Sequence, residues 1–160
     1  MTLSITWLDE LAKIWEFSDG SFNTVKSYRL LEKAEFPSAI NPTDLDRSPI
    51  ALSMPSAMKP EYSAGGPAIA YWTGETEFHV APDLDRGRLP ALMLWYGMIL
   101  NAAASHMKLN GTVELFLLAD SETAIEGPLA LQYGSEASHW GFTVQWQVKQ
   151  RIEGQITISA

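Results

Sequence analysis

The chain has 160 residues, of which 46% are hydrophobic and 19% are charged, which is typical of one ordinary globular domain and not of a disordered tail. It has no cysteine, which excludes disulfides and thiolate metal sites, and its 19 acidic and 11 basic residues give a net charge of -8. Tight phosphate binding needs clustered basic side chains, so this balance argues against sequence-specific nucleic-acid recognition. We expect a single domain over residues 1–160 with no membrane partner, because no run of about 20 apolar residues is present.

The first predicted element is an amphipathic helix over residues 5–17. Leu8, Leu11 and Trp15 recur there at helical spacing, and Ser4 precedes them as an N-cap. The chain then predicts, in order, a turn at 18–21, a strand over 25–31, a proline-containing loop over 36–49, a short buried strand over 50–54 and a long irregular loop over 55–67.

Strand and helix signals continue in the middle of the chain. Residues 68–80 have the aromatic and β-branched content of strands, with a predicted turn at Thr73–Gly74. Residues 88–107 predict a helix that opens near Pro90 and stops at Asn110–Gly111. The predicted buried stripe of this helix consists of Leu89, Leu92, Met93, Tyr96, Ile99 and Leu100.

The last part of the chain predicts strands. Residues 112–119 predict a largely buried strand, and residues 129–133 predict another after a turn at Gly127–Pro128. Apolar and polar residues alternate strictly from 142 to 149, which predicts a strand that buries Phe142, Val144, Trp146 and Val148. A final hairpin or extended arm is predicted over 153–160. The order of elements predicts an α+β fold, a mainly antiparallel β-sheet with two α-helices packed on one face.

No residue pattern predicts catalysis or metal binding. The three histidines, His79, His106 and His139, are too far apart to place two ligands on one helix face. Nucleophile-elbow, phosphate-loop and dinucleotide-binding motifs are absent from the sequence. A metal-dependent hydrolase using Asp83 and Asp85 is the weakest alternative, because the further ligands, glycine and final glutamate of a calcium loop do not follow. We therefore expect a protein that is not an enzyme and needs no cofactor or metal.

Contact with other molecules is predicted at two places. The 55–67 loop lacks the apolar density to pack on its own domain, yet Met54, Met58 and Tyr62 are residue types that interface cores favour. Four of the six tryptophans fall on predicted buried faces, which leaves Trp72 and Trp140 for a subunit interface or for stacking against a sugar ring.

The order of several short segments along the chain carries a family resemblance. In chain order they are a helix with Leu8–Ile14, a loop with Pro37–Leu45, a short strand with Ser48–Leu52, an aromatic strand with Thr76–Val80, a helix start with Arg88–Leu92, and the closing segments Leu129–Gly134 and His139–Val144. This order resembles that of the tail terminator proteins of long-tailed bacteriophages. The resemblance spans nearly the whole chain and rests on element order and the closing Tyr-Gly and His-Trp-Gly pattern, not on a chemical signature.

The resemblance implies a structural role in a virion. Such proteins form a ring, usually a homohexamer, that caps the growing tail tube, stops its polymerisation and meets the head. The implied partners are further copies of the chain, the tail tube protein and the head-tail connector protein, and the implied location is the tail or neck of a virion assembled in the host cytoplasm. The acidic balance is compatible with DNA that passes through without specific binding. The alternative from the residues alone is a carbohydrate- or receptor-binding accessory domain that uses Trp72 and Trp140.

Overall fold

Two helices and six strands make up the described part of the chain, which covers residues 6–18, 24–29, 49–62, 66–81, 89–133 and 137–152 of a computed structural model. In chain order the elements are α1 (Thr6–Ile14), β1 (Lys26–Arg29), β2 (Ile50–Glu61), β3 (Ala68–Ala81), α2 (Leu89–Ser105), β4 (Leu115–Leu118), β5 (Ile125–Tyr133) and β6 (Ala137–Ile152). The predictions for residues 19–21, 36–48 and 153–160 lie outside these ranges. Within them, no helix is both long and apolar enough to span a bilayer.

The strands form one mixed sheet with the order β1-β2-β3-β6-β4. Strand β6 is the longest and pairs with β3 along one edge, while its other edge pairs first with β5 and then with β4. The pair β1 and β2 is parallel, and all other pairs in the described residues are antiparallel. The predicted α+β class is therefore confirmed, with one parallel strand added to the mainly antiparallel sheet.

The core lies between the two helices and one face of the sheet. The alternating side chains of β6, namely Phe142, Val144, Trp146 and Val148, are all buried, as predicted. Trp7 of α1 meets Trp146 edge to face with ring centroids 5.7 Å apart, and Trp95 of α2 stacks on Phe142 at 6.2 Å. Both helices therefore cover the same face of the sheet, and aromatic side chains fill much of the space between the layers.

The predicted buried stripe of α2 is wrong in part. Ile99 is buried and Tyr96 is half-buried, but Met93 and Leu100 are exposed and the buried anchor is Trp95. The helix has apolar residues on nearly every side, so spacing alone could not identify the face that meets the sheet. It also ends at Ser105, earlier than predicted, and Asn110 and Gly111 adopt positive φ in the turns that follow.

Two predicted irregular segments are parts of regular strands. Strand β2 continues through Pro55 to Glu61, paired with β3, and the proline lies at a bulge between Pro55 and Ala57. The predicted turn at Thr73–Gly74 does not exist, because β3 runs unbroken through it. A Cβ on Gly74 would overlap the ring of Trp146 and lie 2.5 Å from the Met54 carbonyl oxygen, so the glycine permits close packing.

The strands on the second edge of β6 also differ from their predictions. Gly127–Pro128, predicted as a turn, has a cis peptide bond and lies inside β5 at a register shift against β6. The strand predicted over 112–119 is the four-residue edge strand β4, in which Phe116 is buried and Leu117 is exposed. Leu117 is exposed because alternation along β4 places it on the sheet face opposite α1 and α2.

Candidate functional site

The five predicted contact residues do not form one surface. Met58 and Tyr62, at the far end of β2 and just beyond it, are 40% and 75% exposed. Met54 is buried in the first half of the same strand, so it does not reach the surface of the monomer. Trp72 and Trp140 are partly buried within strands β3 and β6.

Trp72 is held by two contacts of its own chain. Its ring lies 5.4 Å from that of Trp7, and its Nε1 donates a hydrogen bond to Oε1 of Gln150 at 3.0 Å. These contacts fix the indole against the core and satisfy its only polar atom. Packing therefore explains the position of Trp72 without a bound sugar.

The second half of β2 is exposed along its whole length. Residues 50–54 are buried, whereas residues 56–61 are all exposed, and residues 57–61 are still paired with β3. This extension of the sheet carries the exposed Met58, and Tyr62 follows directly after it. Residues 55–61 of the predicted loop thus belong to a strand that ends in exposed side chains, among them Met58.

A groove of about 400 Å³ lies on the sheet face opposite the helices. The strand register places two cross-strand rows there, Ala57-Thr73-Gln147-Leu117 and Lys59-Tyr71-Lys149-Leu115. The described lining includes two lysines and no acidic side chain, although Glu114 beside the groove contacts Lys149 at 3.5 Å. We call this surface the sheet groove. It is a locally basic, partly apolar patch on a chain with a net charge of -8.

The outer face of α2 is apolar and free of charge. From Leu89 to Ser105 the helix contains no Asp, Glu, Lys, Arg or His. Met93, Leu94 and Leu100 are all more than half exposed, and a Cβ on Gly97 would meet no atom within 4 Å. Met93 and Leu94 lie four and three residues before Gly97, and Leu100 lies three after it, which places all four on one side of the helix. We call this surface the α2 face.

Two polar clusters lie inside the protein, one on each face of the central sheet. On the helix side, Thr76 Oγ1 lies 2.9 Å from Ser53 Oγ and accepts a hydrogen bond from Trp146 Nε1 at 3.1 Å. On the other side, His79 Nε2 lies 3.1 Å from Glu77 Oε2, and both residues are almost fully buried. These contacts pair polar groups that would otherwise destabilise a buried sheet centre.

Replacement of Thr76 by valine tests the first cluster. The change keeps the shape of the side chain but removes the hydroxyl that both Ser53 and Trp146 contact. We expect Thr76→Val to lower the free energy of unfolding by about 1–3 kcal/mol, measured by urea denaturation. The exposed neighbour Thr73 provides the matched control, and Thr73→Val should change it by less than about 0.5 kcal/mol. Equal effects at both positions would contradict a structural role for the cluster.

The described histidines have structural contacts. His106 Nδ1 lies 2.7 Å from the carbonyl oxygen of Ala102, one turn earlier in the chain, and His79 contacts Glu77. The side chain of His139 and the pair Asp83 and Asp85 lie outside the described part of the structure. Within that part, no group of three or more potential protein ligands could hold a metal ion.

A second cleft, of about 570 Å³, lies between the end of α1 and the turns after α2. Lys13 and Glu10 lie on its α1 side, joined by a salt bridge of 3.0 Å, and the hydrogen bond and charge of Glu10 raise the pKa of Lys13. On the other side, Lys108 donates a hydrogen bond to the carbonyl oxygen of Glu114 at 2.6 Å. Both lysines of the cleft therefore already bind oxygen atoms of their own chain.

The sequence matches no known family model, and it has no significant match among curated proteins.

Proposed function

We propose that this protein is a non-enzymatic structural subunit of a ring at the end of a phage tail tube, where it ends tube polymerisation and joins the tail to the head connector. The observation that carries the proposal is the exposed half of β2, which presents Met58 and Tyr62 away from the core. A paired strand with exposed large side chains is suited to contact with a neighbouring subunit.

The charge of the chain supports the same role. A ring of subunits that each carry -8 repels phosphate, so DNA passes without being held by specific contacts. The proposed partners are further copies of the chain, in a ring that we expect to be a hexamer, together with the tail tube protein and the head-tail connector protein. The proposed location is the tail or neck of the virion.

The alternative of a carbohydrate- or receptor-binding domain has less support. Its main candidate, Trp72, is packed on Trp7 and hydrogen-bonded to Gln150, so its ring is not a free platform for a sugar. Trp140 is also partly buried. No contact among the described residues favours this second function over the first.

A double substitution at the exposed end of β2 tests the proposed function. Met58→Ser with Tyr62→Ser removes the two large exposed side chains but leaves the backbone pairing of β2 with β3. We expect circular dichroism and thermal unfolding of the isolated protein to stay unchanged. In a phage that lacks its own copy of the gene, the variant should yield overlong or headless tails by electron microscopy.

The control for this experiment lies on the same strand. Glu61→Ser changes an exposed residue of β2 without removing an apolar side chain, and it should restore normal tails. Normal tail length and normal head attachment with the double variant would remove this end of β2 from the proposed role.

A further inference from the structure

We propose that Asn110 is a site of spontaneous deamidation and that the hydrogen-bonded turn around it sets the rate of this modification. Asn110–Gly111 is the single Asn-Gly pair in the 160 residues of the chain. The pair lies in the turns that follow α2, where both residues have positive φ, a conformation that asparagine and glycine tolerate. The inference is independent of the proposed ring function.

Deamidation of an asparagine is a reaction within the chain. The backbone nitrogen of the next residue attacks the side-chain Cγ, and the new C–N bond closes a five-membered succinimide ring. The side-chain amide nitrogen leaves as ammonia and takes the proton of the backbone amide. One water molecule then opens the ring at either carbonyl carbon, which gives aspartate or isoaspartate. The net reaction consumes one water and releases one ammonia, without an oxidant or a reductant.

The surroundings of Asn110 leave this attack unobstructed. Both residues of the pair are exposed, and a Cβ on Gly111 would meet no atom within 4 Å. Because glycine has no Cβ, no side chain shields its nitrogen from the Cγ of Asn110. Water also reaches the ring carbonyls, since Asn110 lines the open cleft between α1 and the turns after α2.

The same turn restrains the attacking nitrogen. The N–H of Gly111 donates a hydrogen bond to the carbonyl oxygen of Lys108 at 3.0 Å. Thr112 closes the turn further, because its N–H and its Oγ1 both donate to the carbonyl oxygen of Leu109, at 3.2 and 2.6 Å. The side chain of Leu109 is buried, which fixes the turn to the core. Attack therefore requires local opening of the turn, and the open fraction limits the rate.

Asn101 is a comparison residue within the same chain. It is also exposed, but it lies inside α2 and is followed by Ala102. The Cβ of Ala102 crowds the backbone nitrogen that would attack, and the helical hydrogen-bond ladder holds this nitrogen in place. Deamidation is therefore expected at Asn110 and not at Asn101, although both side chains reach solvent.

Conversion of Asn110 changes both charge and backbone. Either product replaces a neutral amide with a carboxylate, which adds one negative charge to the formal net charge of -8. Isoaspartate also leads the main chain through the side-chain carbon and so adds one backbone atom before Gly111. The hydrogen bond from Gly111 to Lys108 cannot keep its geometry after this insertion. Molecules that contain isoaspartate should therefore unfold at a lower urea concentration than unmodified ones.

Incubation of the purified protein at mildly alkaline pH tests the inference, with peptide mapping by mass spectrometry as the readout. In the folded wild type, Asn110 should convert while Asn101 stays intact. In guanidinium chloride, Asn110 should convert on the order of tenfold faster, because unfolding frees the Gly111 nitrogen. Equal rates in the folded and unfolded protein, an Asn110 that stays intact in the folded protein, or conversion of Asn101 at the same rate would each overturn the inference.

Two substitutions of Thr112 test control by the turn. Thr112→Val keeps the shape of the side chain but removes the hydroxyl that donates to Leu109, so Asn110 should convert about fivefold faster, as expected for the loss of one hydrogen bond. Thr112→Ser keeps the hydroxyl and should convert at the wild-type rate. Circular dichroism checks that both variants fold, and Thr112→Ala replaces the valine variant if it does not. Equal rates in all folded variants would overturn control by the turn.

Discussion

Gly141→Ala is expected to lower the free energy of unfolding by at least about 3 kcal/mol, at the severe end of the range for overpacking. Gly141 of β6 pairs with His79 of the neighbouring antiparallel strand β3. An added Cβ would overlap the backbone carbonyl oxygen of Phe78 and lie 3.2 Å from the side chain of Leu131. The Phe78 oxygen belongs to β3, so removal of this overlap requires β3 and β6 to move apart. Urea denaturation followed by tryptophan fluorescence measures the loss.

The control for this prediction is a second glycine with no such neighbour. Gly97 lies on the α2 face, and a Cβ there would meet no atom within 4 Å. Gly97→Ala should therefore stabilise the monomer by about 0.5–1 kcal/mol, because alanine favours the helix. A Gly141→Ala protein that unfolds at the wild-type urea concentration would contradict the close approach of β3 and β6.

Elements with a clear period could be predicted from the sequence. The strict alternation from Phe142 to Val148 identified the buried face of β6, and helical spacing identified α1 with its buried Leu8 and Leu11. In each case one face is apolar and the other is polar, so the hydrophobic periodicity predicts which side is buried. The α+β class followed from the order of these elements.

Elements without such contrast could not be predicted. In α2 the apolar residues surround the helix, so Met93 and Leu100 were assigned to the wrong side. Proline and glycine at Pro55 and Gly74 resemble turn residues, yet the first lies at a bulge and the second gives room to the Trp146 ring. Only the tertiary structure distinguishes these uses of the same residues.

The candidate surfaces were only partly visible in the sequence. Met58 and Tyr62 could be named because large apolar residues stood in a polar, proline-containing segment. The sheet groove could not, because Lys59, Leu117 and Lys149 belong to three strands and have no local spacing in common. Strand register alone brings them together.

Trp146→Ala is expected to lower the free energy of unfolding by about 3–5 kcal/mol. The side chain is only 1% exposed, and its ring lies edge to face with Trp7 at 5.7 Å and tilted against Phe116 at 6.4 Å. Truncation would leave a cavity between both layers, because Gly74 beneath the ring has no side chain to fill it. Truncation would also remove the hydrogen bond that the indole N–H donates to Thr76 Oγ1, which places the loss of unfolding free energy toward the upper end of this range.

The adjacent residue of the same strand provides the control for Trp146→Ala. Gln147 faces the opposite side of the sheet and is exposed, so Gln147→Ala should change the free energy of unfolding by less than about 0.5 kcal/mol. The hydrogen bond to Thr76 can be separated from the cavity by combining Trp146→Phe with Thr76→Val. Because both changes break the same contact, their combined loss should be smaller than the sum of the single losses by about 0.5 kcal/mol or more. Strict additivity would contradict the hydrogen bond between Trp146 and Thr76, and an unchanged denaturation midpoint for Trp146→Ala would contradict the burial of this tryptophan in the core.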